Sequence, residues 1–295
     1  MLLLESLAKA SGLSDGHQAI AAWLLDHRDE ASSMTTRQVS RETYTSPAAV
    51  VRFAQRLGYD GFESLRGELV KETAYLNQNF RGVDANQPFA VGDSMMTVAA
   101  KVSALARETV ADTLALMNEA TLTRAVELME DARTIHFAAV SFPLLYGQDF
   151  QLKMRRIGKP VMAVTLAGEQ LFAEQLVTSE DCALVVSYSG TTPATLDLAR
   201  MYHRRGVPII AITSMGTNPL RELASVTLTL TTRERLYSKV AGFTSELSIK
   251  LTLDTLYACC FSRHLNTHQR MKDEVSRLAE PGRTSDSAIL REERS

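Results

Sequence analysis

Five residues suited to holding an anion, Ser187, Ser189, Gly190, Thr191 and Thr192, fall within six positions of this 295-residue chain. Hydroxyls donate hydrogen bonds to phosphate oxygens, and glycine lets backbone N–H groups approach closely. Ahead of them, Ala183 to Val186 is a short apolar run of the kind that forms a strand buried on both faces. Behind them, Pro193 opens a helical pattern to Arg205, with Thr192 as its expected N-cap and Arg204, Arg205 and Gly206 as its C-terminus. The expected unit is strand, hydroxyl-rich turn, helix N-terminus. Free N–H groups and the positive end of the helix dipole converge there on one anion, most naturally a phosphate. A capped turn with no ligand is the competing reading of the same residues.

The spacing Ser187-Tyr188-Ser189-Gly190-Thr191-Thr192 resembles the phosphosugar-binding loop of the sugar isomerase (SIS) domain family. Downstream, Ala211 to Ser214, Asn218-Pro219-Leu220 and Leu223-Ala224 resemble that family's next strand and helix. Upstream, Arg156-Ile157-Gly158-Lys159-Pro160 resembles its R-x-G-K-P segment. The resemblance implies a Rossmann-like α/β/α sandwich with a five-stranded parallel sheet. Its implied ligand set is the Ser187–Thr192 loop, with Ser141, Thr213 and Ser214 as further candidates. One turn departs from the pattern. Where SIS domains carry G-x-G-x-S, this chain reads Ala139-Val140-Ser141-Phe142-Pro143, and Pro143 supplies neither hydroxyl nor N–H. Either the Ser187–Thr192 loop mainly holds the ligand or the ligand is not a phosphosugar; a one-residue slip would make Ser141 the donor. Lys153, Arg155, Arg156 and Lys159 sit where cations end a helix and are read as such.

A second pattern occupies residues 34–62. Thr35 can cap a helix running through Val39, Tyr44 and Thr45 fall in a tight turn, and Ser46-Pro47 starts another helix ending before Gly58. Two short helices across so brief a turn are a helix-turn-helix signature. At 100° per residue, Val50, Phe53, Ala54 and Leu57 form a core face of the second helix. Ala48, Ala49, Arg52, Gln55 and Arg56 form the other, where small residues permit close approach and forked donors suit bases and phosphates. Thr45 and Ser46 at the turn, with Arg37 and Arg41 on the first helix, complete the expected DNA contacts. A solvated polar face is the competing reading. Residues 46–53 with Leu57-Gly58-Tyr59 and Gly61-Phe62 resemble the helix-turn-helix of the RpiR/MurR family of bacterial regulators. That family joins such a domain to a C-terminal SIS domain. The resemblance implies a dimeric or tetrameric cytoplasmic transcription factor that responds to a phosphosugar or related metabolite.

Charge does not announce nucleic acid. The chain carries a net −2, and residues 1–80 hold eight Lys/Arg against ten Asp/Glu. Yet Arg37 to Arg56 contains four arginines and one acid, Glu42. Binding is therefore expected to depend on dimerisation and on salt. Cys182, Cys259 and Cys260 lack disulfide or metal-ligand spacing and suggest reduced thiols. No metal or cofactor is expected, and no apolar run approaches a membrane span.

The chain divides, on this reading, into a helical domain over 1–76, a polar linker over 77–93, and an α/β domain with its leading helix over 94–268. A charged tail follows over 269–295, expected to be a frayed helix and then disorder. Strands are expected at 135–140, 161–165, 183–187, 209–213 and 226–230, alternating with helices. Three functions compete. The order of the two domains favours a ligand-responsive regulator of double-stranded operator DNA. A sugar-phosphate isomerase or lyase needs a positioned acid or base; the six histidines do not cluster, although Glu169, Glu234 or Glu246 could line the pocket. A protein-docking role for the helical domain is the third.

Overall fold

The computed structural model describes residues 3–8, 13–79, 82–166 and 169–282. The N-terminal part is all helical: α1 (Leu3–Ala8), α2 (Asp15–Asp26), α3 (Thr36–Glu42), α4 (Pro47–Arg56) and α5 (Phe62–Asn79). Leu3, Leu7, Ile20, Leu24, Val39, Val50, Phe53, Leu65 and Leu69 meet in one buried cluster. The start of α1 is fastened by Glu72 of α5, whose carboxylate accepts from Leu3 N at 2.6 Å and Leu4 N at 3.0 Å. A carboxylate on a helix N-terminus satisfies orphan N–H groups and opposes the dipole.

Helix α5 fills the first three residues of the expected linker, 77–93, and so corrects its start. Then come α6 (Met95–Leu116), α7 (Glu119–Asp131) and five strands: β1 (Ile135–Ala138), β2 (Val161–Ala163), β3 (Cys182–Val186), β4 (Ile209–Ser214) and β5 (Val226–Leu230). Between them lie α8 (Phe142–Arg155), α9 (Gln170–Ala173), α10 (Pro193–Arg204) and α11 (Pro219–Leu223); α12 (Phe243–Arg263) and α13 (Leu265–Ala279) follow. The strands are all parallel, in the order β2-β1-β3-β4-β5.

Alternation along the strands decides the layers. Leu184, Val186, Ile210 and Ile212 pack against α7, α8 and α12, while Ala183, Val185, Ile209 and Ala211 pack against α10 and α11. Gly147 of α8 permits one close approach, since a Cβ there would sit 2.2 Å from the Phe137 ring. The expected frayed tail is corrected at its beginning: α13 is a continuous helix, with Met271 against Gly158 and His268 Nδ1 3.2 Å from Phe261 O. Residues 283–295 of that expected tail lie outside the described residues.

Candidate functional site

In a parallel sheet every turn that follows a strand emerges at the same edge. The order places a switch point between β1 and β3, because the chain leaves β1 for β2 and then crosses back to β3. Ligands of such sheets sit in that crevice. Its walls here are the turn 139–141 and the loop Ser187–Thr192.

The loop is held by its own groups. Gly190 N donates to Ser187 O at 3.1 Å, and Thr191 N donates to Ser189 Oγ at 3.2 Å. Ser187 Oγ and Thr192 Oγ1 lie 3.0 Å apart. Thr192 is the N-cap of α10, but its side chain makes no capping bond, which corrects the expected cap. The hydroxyl turns into the loop instead. The second and third N–H groups of α10, those of Ala194 and Thr195, therefore keep the orphan status of a helix start. Thr195 is buried, and its Oγ1 has no hydrogen-bond partner among the described residues. Ser189 and Thr192 are half-buried, Thr191 is exposed and Ser187 is buried.

Gly190 is required twice over. Its φ is +64°, and a Cβ would meet Asn218 Oδ1 at 2.1 Å. Leu220 N donates to Gly190 O at 3.2 Å, so the turn after β3 is tied to the turn after β4. Thr213 is fully buried: its Oγ1 accepts from Asn218 Nδ2 at 3.2 Å and lies 3.5 Å from Tyr188 O. Its hydroxyl positions Tyr188 and Asn218. Half-buried Ser214 donates its N–H to Tyr188 O at 3.1 Å.

The opposite wall is poorer. Ser141 has φ +60° and ψ −139°, a conformation that glycine adopts freely, and it precedes α8 without a side-chain cap. Pro143 has no N–H, and Leu144 N is spent on Ser141 O at 3.0 Å. Exposed Ser141 and the N–H of Phe142 are what this wall offers. Lys153 pairs with Asp149 at 2.8 Å and Asp254 at 2.5 Å, and Lys159 donates to Glu130 O at 2.8 Å, so both cations are engaged elsewhere. Burial pushes the Cys182 and Cys260 thiols up to about 12. No group of three potential metal-ligating side chains occurs among the described residues.

Glu234, one of the carboxylates considered for catalysis, lies at the start of α12. Its Oε1 accepts from Thr244 N at 2.5 Å and Ser245 N at 3.3 Å, and its Oε2 from Lys239 Nζ at 2.8 Å and Ser245 Oγ at 2.5 Å. These four contacts engage both oxygens of the carboxylate and hold it at the helix start. Sequence reading did not single out Tyr188 or Asn218 as organisers of the loop. The one available signal for Asn218 was its place before Pro219, an N-cap position, and Asn218 Oδ1 does accept from Arg221 N at 3.0 Å.

The helical domain presents a second candidate surface. Thr35 and Gln38 form a reciprocal capping box at α3, and Ser46 Oγ accepts from Ala49 N at 3.2 Å to start α4. Tyr44, at φ +52°, makes the turn between them. On α4, Val50, Phe53 and Ala54 are buried, while Ala48, Arg52, Gln55 and Arg56 are exposed and Ala49 is half-buried. Arg37, Arg41 and Ser46 are exposed, and Thr45 is half-buried. Tyr44 is 98% exposed, an aromatic at the turn that the expected contacts omitted. Helix α4 therefore offers one continuous face of small and forked-donor side chains.

Comparison with known proteins matches both domains. Residues 128–258 match the SIS domain model, and residues 1–75 match the helix-turn-helix domain of the rpiR family. The Vibrio vulnificus NanR protein complexed with ManNAc-6P has the same fold at a TM-score of 0.60 and 22% identity, over 96% of this chain and 100% of that one. The sugar isomerase domain of an RpiR transcription factor from Sphaerobacter thermophilus matches at 0.54 and 20% identity, over 61% of this chain and 98% of its own. An E. coli CFT073 protein, c3406, solved as a ligand complex, matches at 0.53 and 12% identity, over 61% and 96%. Fold and domain order define a helix-turn-helix transcriptional regulator with a C-terminal SIS domain. The chain belongs to the RpiR family.

Proposed function

We propose that the chain reads double-stranded operator DNA as a homodimer or homotetramer in the cytoplasm, with α4 in the major groove, and senses a phosphorylated sugar at the Ser187–Thr192 loop without turning it over. Arg52, Gln55 and Arg56 meet base edges or phosphates; Ala48 and Ala49 let the helix approach; Arg37, Arg41, Thr45 and Ser46 meet the backbone. The observation that carries the sensing half is the uncapped start of α10 beside Gly190, whose left-handed backbone aims the loop at that helix end. The engaged carboxylate of Glu234 favours sensing over isomerisation. Because a relative of this fold was solved with ManNAc-6P, N-acetylated hexose 6-phosphates are the first ligands to test.

Two measurements test the reading. In a mobility-shift assay, the full chain retards DNA from the promoter beside its own gene, and the ligand changes that retardation. In thermal unfolding, a ligand specific to the folded state stabilises it by about 2.7 kcal/mol at a hundred times Kd. Ser189→Asp sets a carboxylate in the loop, repels a phosphate and loses the shift, while the helix start tolerates the added charge. A full thermal shift in Ser189→Asp rules this loop out as the sensor.

A further inference from the structure

The segment between β5 and α12, residues 231–242, carries no regular secondary structure, yet it is gripped from two directions. From the linker side comes Asn86. Its Oδ1 accepts from Arg235 N at 2.7 Å, its Nδ2 donates to Arg233 O at 3.3 Å, and its backbone O accepts from Val240 N at 3.0 Å. Asn86 is itself fixed by Asp84, whose Oδ1 accepts from Asn86 N at 2.8 Å and Asn86 Nδ2 at 3.1 Å. From the ligand-loop side comes Tyr188. Its hydroxyl donates to Glu234 O at 2.9 Å and accepts from Glu234 N at 3.0 Å. Three consecutive residues are thus held alternately, the outer two by the linker and the middle one by the loop.

Both grips are made of hydrogen bonds. A cavity of about 270 Å³ lies between linker and segment, lined by Asp84, Asn86, Gln87, Arg235, Ser238, Lys239 and Val240. A seam made of hydrogen bonds around a cavity opens at lower cost than a packed core. The far side is firm: Arg233 is buried against α6, with Nε 2.6 Å from Asp112 Oδ2 and Nη1 2.5 Å from Glu108 Oε2. Tyr188 thus holds the Glu234 backbone between the two residues that Asn86 holds. Asn86 lies shortly after α5, the last helix of the DNA-reading domain.

We propose that Arg233–Glu234–Arg235 is a relay that couples occupancy of the Ser187–Thr192 loop to the linker through Tyr188 at one end and Asn86 at the other. The proposal rests on the reading of that loop as the sensor. It names the part of the fold through which sensing reaches the linker. Coupling between two ends is reciprocal, so a change at either is felt at the other.

Hydrogen–deuterium exchange on the full chain tests it, with inorganic phosphate as the probe. In the wild type, phosphate slows exchange in peptides covering 186–193 and also in those covering 84–93 and 233–240. In Asn86→Ala, phosphate still slows the loop but no longer the linker; in Tyr188→Phe, too, phosphate no longer slows the linker. Without phosphate, Tyr188→Phe speeds exchange over 84–93 by about fivefold or more, the low end of measured couplings. Asn86→Asp, which keeps the acceptor for Arg235 N–H, retains part of the effect. Undiminished linker protection in both Asn86→Ala and Tyr188→Phe overturns the relay. Should phosphate leave the wild-type loop unprotected, the sensor reading fails on its own. The phosphate-free comparison then still decides the relay: unchanged exchange over 84–93 in Tyr188→Phe overturns it.

Discussion

Gly190 shows how much one position can demand. Its left-handed φ excludes most side chains on backbone grounds, and Asn218 excludes a Cβ on steric grounds. Gly190→Ala is expected to lose about 1–2 kcal/mol from the backbone alone, with the clash added to it. Chemical denaturation reads the sum. The double variant Gly190→Ala with Asn218→Gly relieves the clash but gives up the Asn218 bonds to Arg221 N and Thr213 Oγ1, so it is expected to recover only part of the loss. Equal stability of Gly190→Ala and wild type would contradict the geometry. The residue types of this loop were readable from the sequence because hydroxyls and a glycine after an apolar run restrict what a turn can be. The burial of Thr213 was not readable. A threonine at the end of β4 looks the same whether its hydroxyl faces ligand or Asn218, and only the approach of the neighbouring turn decides.

At the scale of elements, α4 is the clearest case. Its core face and its open face separate by angle alone, and Pro47 with Ser46 fixes where the helix begins. Arg52→Ala and Arg56→Ala are each expected to weaken operator binding by about 1–3 kcal/mol where the contact is to a base edge, with the fold intact by circular dichroism. Wild-type affinity in both would remove α4 from the interface. Strand positions were legible for a related reason. Parallel strands buried on both faces read as apolar runs, as β3 and β4 do, whereas the edge strand β5 alternates Val and Leu with Thr. The capping of α10 was misread because Thr192 has two partners to choose from. Its hydroxyl can turn to the helix or to Ser187, and the spacing fits both. The order in α13 was hidden by its charge, since a helix so rich in Lys, Arg, Asp and Glu looks like a tail until Met271 finds Gly158.

For the whole molecule, charge and symmetry set how DNA is held. The chain is net negative, and the four arginines of α3 and α4 are its concentrated positive surface in the helical domain. A single copy should bind feebly. The proposed dimer is expected to read two half-sites about 34 Å apart, or a multiple of that, and to lose affinity steeply as salt rises. Footprinting for the spacing and a salt titration for the slope check both; salt-insensitive binding would point away from phosphate contacts. The charge arrangement at the other end of the molecule has its own consequence. Helix α12 begins at the carboxylate of Glu234, which already receives Thr244 N–H, Ser245 N–H and Lys239. A helix start neutralised by the chain's own anion offers little to a visiting one. Of the two long helices that begin near Tyr188, α10 alone is left electrically open. On the proposed reading of the Ser187–Thr192 loop, a phosphate is expected at α10 rather than at α12, and a bisphosphate is expected to find no second site at the Glu234 end.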